Sequence, residues 1–243
     1  MDLIEAIVLG AVQGITEFLP ISSTGHLILV PWFLGWEPQG LAFDVALHVG
    51  TLFALLWYFR AEWFAFAHAG IRWVQGHRRE PDAHLAMFIV GATIPGGLAG
   101  LLGQDIVEIY LRSPLVVSIT LIALALVLVI AEWTSRREKG LENVSWPDAL
   151  IVGCAQALAI IPGVSRSGAT ITAAVFRGMK RDAAARFSFL LSAPIIAGAA
   201  ASQIFDLVSE GMTASELGNL AIGILTSAVV GYLAIAFLLR YLA

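Results

Sequence analysis

Apolar runs of bilayer length recur along the whole chain, at residues 43–59, 85–102, 114–131, 187–204 and 217–239. Each is close to the roughly 20 residues that carry a helix across a hydrocarbon core. With 58% of its 243 residues hydrophobic and only 13% charged, the chain holds more apolar side chain than one soluble core of this length can cover with polar surface. The expectation is an all-α polytopic membrane protein, a single membrane domain over residues 1–243 with about five full transmembrane helices. The first apolar stretch has no basic leader and no small-residue cleavage site, and Glu17 interrupts it. It therefore reads as part of the mature protein rather than as a signal peptide. The single cysteine, Cys154, excludes an intrachain disulfide and a cysteine metal cluster, and is expected to pack as a small apolar residue.

Eleven of the 14 Lys and Arg residues fall in three loops: Arg60, Arg72, Arg78 and Arg79; Arg136, Arg137 and Lys139; Arg177, Lys180, Arg181 and Arg186. The positive-inside bias makes these loops cytoplasmic, with Arg240 a fourth inner point. The connections 104–113 and 206–216 carry Asp105, Glu108, Asp206, Glu210 and Glu216 against Arg112 alone, so they face outward. Residues 146–161 and 167–177 then enter and leave from the inside. They are short for full crossings, which favours a re-entrant hairpin over the alternative of a tight pair of spans. Counting backwards, residues 1–40 contain no Lys or Arg and hold a second hairpin, 3–18 and 23–35, entering from the outer face. The N-terminus is expected outside and the C-terminus inside.

An offset of 143 lays Gly10-Ala-Val-Gln-Gly-Ile-Thr-Glu-Phe-Leu-Pro-Ile-Ser-Ser-Thr-Gly-His-Leu-Ile28 over Gly153-Cys-Ala-Gln-Ala-Leu-Ala-Ile-Ile-Pro-Gly-Val-Ser-Arg-Ser-Gly-Ala-Thr-Ile171 without a gap. The identities include the polar positions of both hairpins, and the charges give the hairpins opposite orientations. An inverted-topology repeat follows, repeat 1 at 1–134 and repeat 2 at 146–243, with its site where the two tips meet near the midplane.

Glu17, His26 and Arg166 are ionisable groups within segments otherwise suited to lipid, so they are expected to face one another or a polar cavity. The bland alternative is a Glu17–Arg166 ion pair that only pins the hairpins together. Ser22, Ser23, Thr24 and Gly25 open one second-half helix, and Ser165, Ser167 and Gly168 the other. Hydroxyls and backbone N–H groups at helix N-termini bind anions, and an Arg adds bidentate recognition of phosphate. His26 can move a proton near neutral pH. Gln156 matches Gln13 and is expected to hydrogen-bond within the site. His48, one turn from Asp44, reads as a structural histidine satisfied by that residue, and His68, His77 and His84 as solvated.

The residues resemble the undecaprenyl-pyrophosphate phosphatases, integral membrane enzymes of the bacitracin-resistance type. The resemblance rests on Gln13-Gly-Ile-Thr-Glu17-Phe-Leu-Pro-Ile-Ser-Ser-Thr-Gly-His26 and on Pro162-Gly-Val-Ser-Arg-Ser-Gly-Ala-Thr170, and it extends to Phe43-Asp-Val-Ala-Leu-His-Val-Gly-Thr51 and Ala185-Arg-Phe-Ser-Phe-Leu-Leu191. It implies an interdigitated inverted repeat and hydrolysis of the C55 isoprenyl diphosphate lipid, at the outer side of the bacterial cytoplasmic membrane, to the monophosphate that cell-wall synthesis reuses. Gln13 stands where the family's first acidic residue can be, leaving Glu17 as the carboxylate for a divalent cation, Mg or Ca, not held by protein ligands alone. Members usually run on into a further helix, whereas this chain stops at Ala243 with five helical pieces expected in the first half and four in the second. A homodimer partner or lipid would fill that place, and no nucleic-acid partner is expected.

The mechanism expected from these residues gives the charge on the transferred phosphoryl group to Arg166 and the helix N-termini. Ser23 is the leading nucleophile with His26 as its base, and water activated by His26 is the competing route. Glu17 orients His26 or holds the cation. Gln13, Ser22, Thr24, Gly25, Gln156, Ser165, Ser167, Gly168 and Thr170 bind substrate. A lipid-phosphate or small-anion transporter of the same architecture is the rival function.

Overall fold

The computed structural model describes residues 2–37, 40–77, 80–111, 113–209 and 214–243. Arg78, Arg79, Arg112 and Glu210 lie outside the described residues. The chain is an all-α polytopic membrane protein with, among the described residues, ten α-helices in the order α1 (Leu3–Phe18), α2 (Ser23–Leu34), α3 (Leu41–Tyr58), α4 (Arg60–Val74), α5 (Pro81–Ile106), α6 (Pro114–Thr134), α7 (Trp146–Leu158), α8 (Arg166–Phe176), α9 (Arg181–Ser209) and α10 (Ala214–Leu242). Among the described residues, four stretches long and apolar enough to cross a membrane lie within α5, α6, α9 and α10. The apolar stretch Phe43–Tyr58 of α3 is shorter.

Burial runs opposite to that of a water-soluble protein. Leu101, Leu102, Trp133, Leu115 and Phe237 are exposed, while Gln13, Thr51, Asp148, Thr170, Ser188 and Ser227 are wholly buried. That pattern suits a bundle whose outer solvent is lipid and whose interior is polar. Cys154 is exposed on α7 rather than packed inside, since the opposite face of that helix, through Val152, Gly153 and Gln156, takes the bundle side.

Local chemistry sets the two short helix pairs. An Asp2–Glu5 capping box opens α1, and Leu19-Pro20 breaks it. The Ser22 hydroxyl accepts from Gly25 N–H at 3.2 Å to open α2. In the second pair a Ser145–Asp148 capping box opens α7, and the Ser165 hydroxyl accepts from Gly168 N–H at 3.0 Å to open α8. Gly163 turns the connection with φ +86°, where a Cβ would also fall 2.6 Å from the Val117 carbonyl of α6. Thr120 secures that turn by donating to the Pro162 carbonyl at 2.7 Å.

The pairs pack in exchange: α1 lies along α10 and α7 along α5. At Gly10 a Cβ would sit 2.5 Å from the Gly223 carbonyl of α10, and at Gly153 it would meet the Ala92 carbonyl of α5. The offset of 143 thus matches one close helix crossing to another. Between them runs α9, with Phe187, Phe189, Leu190 and Leu191 buried, and Phe189 meets Phe18 of α1 edge-on at 5.2 Å.

The three basic regions gather at one end. Lys139 and Arg177 both bind the buried carboxylate of Asp148, at 3.2 and 2.7 Å. Glu132 holds Arg137 and Arg181, and Arg186 reaches Glu62 of α4 at 3.3 Å. Since Asp148 opens α7 and Arg177 follows α8, this pair of helices starts and ends at one place. Residues 60–74 are not the loop expected of them. They form α4, a fifteen-residue helix whose Phe66 and Ala69, one turn apart, pack inward while His68 stays exposed; among the described residues the first half therefore has six α-helices rather than five pieces.

Candidate active site

The loops ending α1 and α7 and the starts of α2 and α8 converge on a cavity of about 170 Å³ whose wall includes Glu17, Ser22, Ser23, Thr24, His48, Gln156, Ser165 and Arg166. Its centre is the Glu17 carboxylate, 3% exposed at the side chain. Oε1 pairs with Arg166 Nη2. Oε2 accepts from Ser23 Oγ at 2.7 Å and from Gln13 Nε2 at 3.0 Å, and stands 3.3 Å from His48 Nε2. Four helices, α1, α2, α3 and α8, so meet through one side chain.

Each partner has its own support. Gln13 Nε2 also lies 3.5 Å from Thr51 Oγ1, which donates to the His48 carbonyl at 2.9 Å. His48 Nδ1 is 2.6 Å from the main-chain carbonyl of Asp44. Ser167 donates to the Leu19 carbonyl at 2.9 Å, tying the second hairpin to the first beside the ion pair. Gln156 is 3% exposed and, like Gln13 Oε1, has no hydrogen-bond partner at either end of its amide among the described residues. A buried amide in that condition is costly unless something in the cavity meets it. Ser22 holds a backbone φ of +68°, a conformation uncommon outside glycine and one that clusters at functional sites.

The expected residues divide into those the cavity gathers and those it does not. Glu17, Ser23 and Arg166 meet directly, and Ser22, Thr24, Gln156 and Ser165 join them in the wall. Gln13 lies behind Glu17. The N–H groups of Gly25 and Gly168 are taken by their own caps, and Thr170 sits deeper, bonded to Ser188 at 2.6 Å and to the Arg166 carbonyl at 2.7 Å. His26 is not in the wall; its Nδ1 is 2.8 Å from the Ser22 carbonyl. One imidazole does reach Glu17, that of His48, which the sequence reading assigned to Asp44. The polar positions 44, 48 and 51, spaced by four and three, form a single face of α3, and that stripe in an apolar helix was the available signal.

The donor set does not fit a metal held by the protein alone. Both oxygens of Glu17 are occupied, and among the described residues there is no group of three or more His, Cys, Asp or Glu side chains placed to hold an ion.

Residues 6–243 match the family described as Bacitracin resistance protein BacA. The chain is 48% identical over 245 residues to undecaprenyl-diphosphatase 2 of Stutzerimonas stutzeri (strain A1501), covering 100% of this chain and 90% of that one. It is 48% identical over 243 residues to the undecaprenyl-diphosphatase of Thioalkalivibrio sulfidiphilus (strain HL-EbGR7), covering 100% and 91%. It is 51% identical over 207 residues to the undecaprenyl-diphosphatase of Desulforudis audaxviator (strain MP104C), covering 85% and 78%.

Proposed function

This chain belongs to the Bacitracin resistance protein BacA family, and from that premise we propose that it hydrolyses undecaprenyl diphosphate to the monophosphate and inorganic phosphate. The observation that carries the reading is the convergence of Ser23 and Arg166 on opposite oxygens of Glu17. A nucleophile on a base and a cation beside them suit attack on a phosphoryl group.

In this mechanism the diphosphate enters the cavity and draws Arg166 onto its oxygens, so that the guanidinium exchanges part of its pairing with Glu17 for the transferred charge. Ser23 Oγ attacks the terminal phosphorus while its proton passes to Glu17 Oε2. The Oγ–P bond forms, the bond from that phosphorus to the bridging oxygen breaks, and the lipid monophosphate leaves. Water then attacks the phosphoserine, releasing phosphate as Oγ recovers a proton. Direct attack by water held at Glu17 is the second route, supported by the same carboxylate. Gln156 and the hydroxyls of Ser22, Thr24 and Ser165 would bind phosphate oxygens. A divalent cation, Mg or Ca, would travel with the diphosphate on its oxygens and on water.

We further infer that α1–α2 and α7–α8 are re-entrant hairpins of an inverted repeat, 1–134 and 146–243. The matched glycine crossings support it, as do the lengths of α7 and α8, 13 and 11 residues, which reach only about 20 and 16 Å at 1.5 Å per residue. The gathered basic residues favour a cytoplasmic placement of that end and of the C-terminus, with the N-terminus and the cavity toward the outer side of the bacterial inner membrane. A second copy packing as a homodimer would cover the lipid-exposed face of α6. The test is inorganic phosphate release from undecaprenyl diphosphate by purified protein in detergent. Release supports the enzyme, and lipid translocation without release would favour the transporter reading.

A further inference from the structure

We propose that the isoprenyl end of the substrate leaves the cavity along the glycine face of α5, over Gly96 and Gly100, and that Gln156 binds the phosphate that stays with the lipid. The inference rests on the phosphatase reading above and adds to it the orientation of the diphosphate.

The cavity wall divides by the helices that build it. The charged and hydroxyl groups come from α1, α2, α3 and the start of α8, with Ser23 and Arg166 on Glu17. From α5, α7 and α9 come Gly96, Gly100, Gln156, Ala157 and Ile195. The terminal phosphorus must reach Ser23 Oγ, so the ester end of the diphosphate turns to this second part. A cavity of about 170 Å³ has no room for a C55 chain, and the chain must leave through the wall it faces.

Gly96 and Gly100 are one helical turn apart and share a face of α5. A Cβ at Gly100 would meet nothing within 4 Å, although the residue lies in the cavity wall, so its missing side chain leaves open space there. On α9, Gly198 and Ala199 stand three and four positions beyond Ile195, continue its side of the helix and are exposed. A polar cavity flanked by small and apolar side chains, on helices that look onto lipid, suits a headgroup with an extended apolar chain.

The pointer to a ligand is Gln156. It is 3% exposed, it lies in the cavity wall, and neither end of its amide has a hydrogen-bond partner among the described residues. Its amide rests against Gly96, where a Cβ would come 2.9 Å from Nε2. The glycine that opens the groove therefore also seats the amide at its inner end. A phosphate oxygen accepts from Nε2, and water or a protonated phosphate oxygen donates to Oε1, which removes the cost of the buried unpaired amide. Gln156 is also neutral. Cleavage adds negative charge to the lipid phosphate, and an amide holds that product less tightly than a cation, so the monophosphate can leave along the groove.

The experiment uses the purified full chain in detergent and reads phosphate release from undecaprenyl diphosphate, with undecaprenyl monophosphate and inorganic phosphate as competing products. Gln156→Met keeps the length of the side chain and removes the amide. The expected result is a Ki for undecaprenyl monophosphate raised at least about tenfold, the usual consequence of losing a hydrogen bond to a charged group, while the Ki for inorganic phosphate, held at Ser23 and Arg166, stays within about twofold. Equal shifts in both constants, or a shift in neither, would overturn the role of Gln156. Gly100→Leu fills the groove and should raise KM for undecaprenyl diphosphate by about tenfold. Gly97→Leu is the control: it also enters open space on α5 but lies outside the cavity wall, and its KM should stay within about twofold of the wild type. An unchanged KM in Gly100→Leu, or an equal rise in Gly97→Leu, would overturn the groove. Thermal melting checks folding, and if Gly100→Leu melts early, Gly100→Ala against Gly97→Ala makes the same comparison with an expected rise of about threefold. If the wild type releases no phosphate, the phosphatase reading fails, and binding of undecaprenyl monophosphate to the wild type and to Gln156→Met still tests the site.

Discussion

Arg166 and Glu17, 149 positions apart, form an ion pair between the tips of two helix pairs, the carboxylate almost wholly buried and the guanidinium 17% exposed. Such a pair resists loss of one member far more than loss of both, because a lone buried charge stays without compensation. Its partial access also leaves the guanidinium free to turn toward an arriving anion.

Replacing Arg166 should therefore affect both folding and turnover. Arg166→Ala is expected to lower stability by about 3 kcal/mol and to abolish phosphate release. Arg166→Lys keeps the charge and loses the planar fork, so it should melt near the wild type and still turn over at least tenfold more slowly. Thermal melting in detergent beside a phosphate assay separates the two effects.

Ser23→Ala removes the hydroxyl and leaves the ion pair in place. The covalent route predicts a fall in kcat of at least a hundredfold with little change in KM, and a phosphoserine at position 23 detectable by mass spectrometry after acid quench of the wild type only. Near-normal turnover in Ser23→Ala would assign the attack to water.

The close crossings make a packing prediction. Gly10→Ala and Gly153→Ala place a methyl against the carbonyls of Gly223 and Ala92, and each should destabilise by about 1–3 kcal/mol, the usual cost of overpacking. Gly198→Ala in α9 meets nothing within 4 Å and should be neutral or stabilising by up to about 1 kcal/mol, since glycine is a poor helix former. Melting temperatures of the three variants, measured in one detergent, give the comparison.

The helix pairs were legible because their punctuation is local. Ser22 and Ser165 cap the helices that the offset of 143 predicts, and Pro20 and Gly163 mark the turns between paired helices, within three residues of the expected bounds. Glu17 and Arg166 were legible because charge inside apolar sequence demands a partner. His48 was not, since a residue four positions away offered an apparent partner, and only the packing of α3 on α1 reveals that Asp44 supplies its main chain while the ring turns to Glu17. His26 stands apart from the gathered residues: three positions from Ser23 in sequence, it turns its Nδ1 to the Ser22 carbonyl and lies outside the cavity wall. The helix α4 was hidden by its arginines, which sit at its two ends and left residues 60–74 looking like a loop.

The most direct measurement is a double-mutant cycle on Glu17 and Ser23, read as kcat/KM for phosphate release. If the carboxylate serves the hydroxyl, Glu17→Gln and Ser23→Ala act on one step, and the double variant loses no more than the worse single variant. Losses that multiply would mean that the two side chains act independently, which contradicts a site organised on the Glu17 carboxylate.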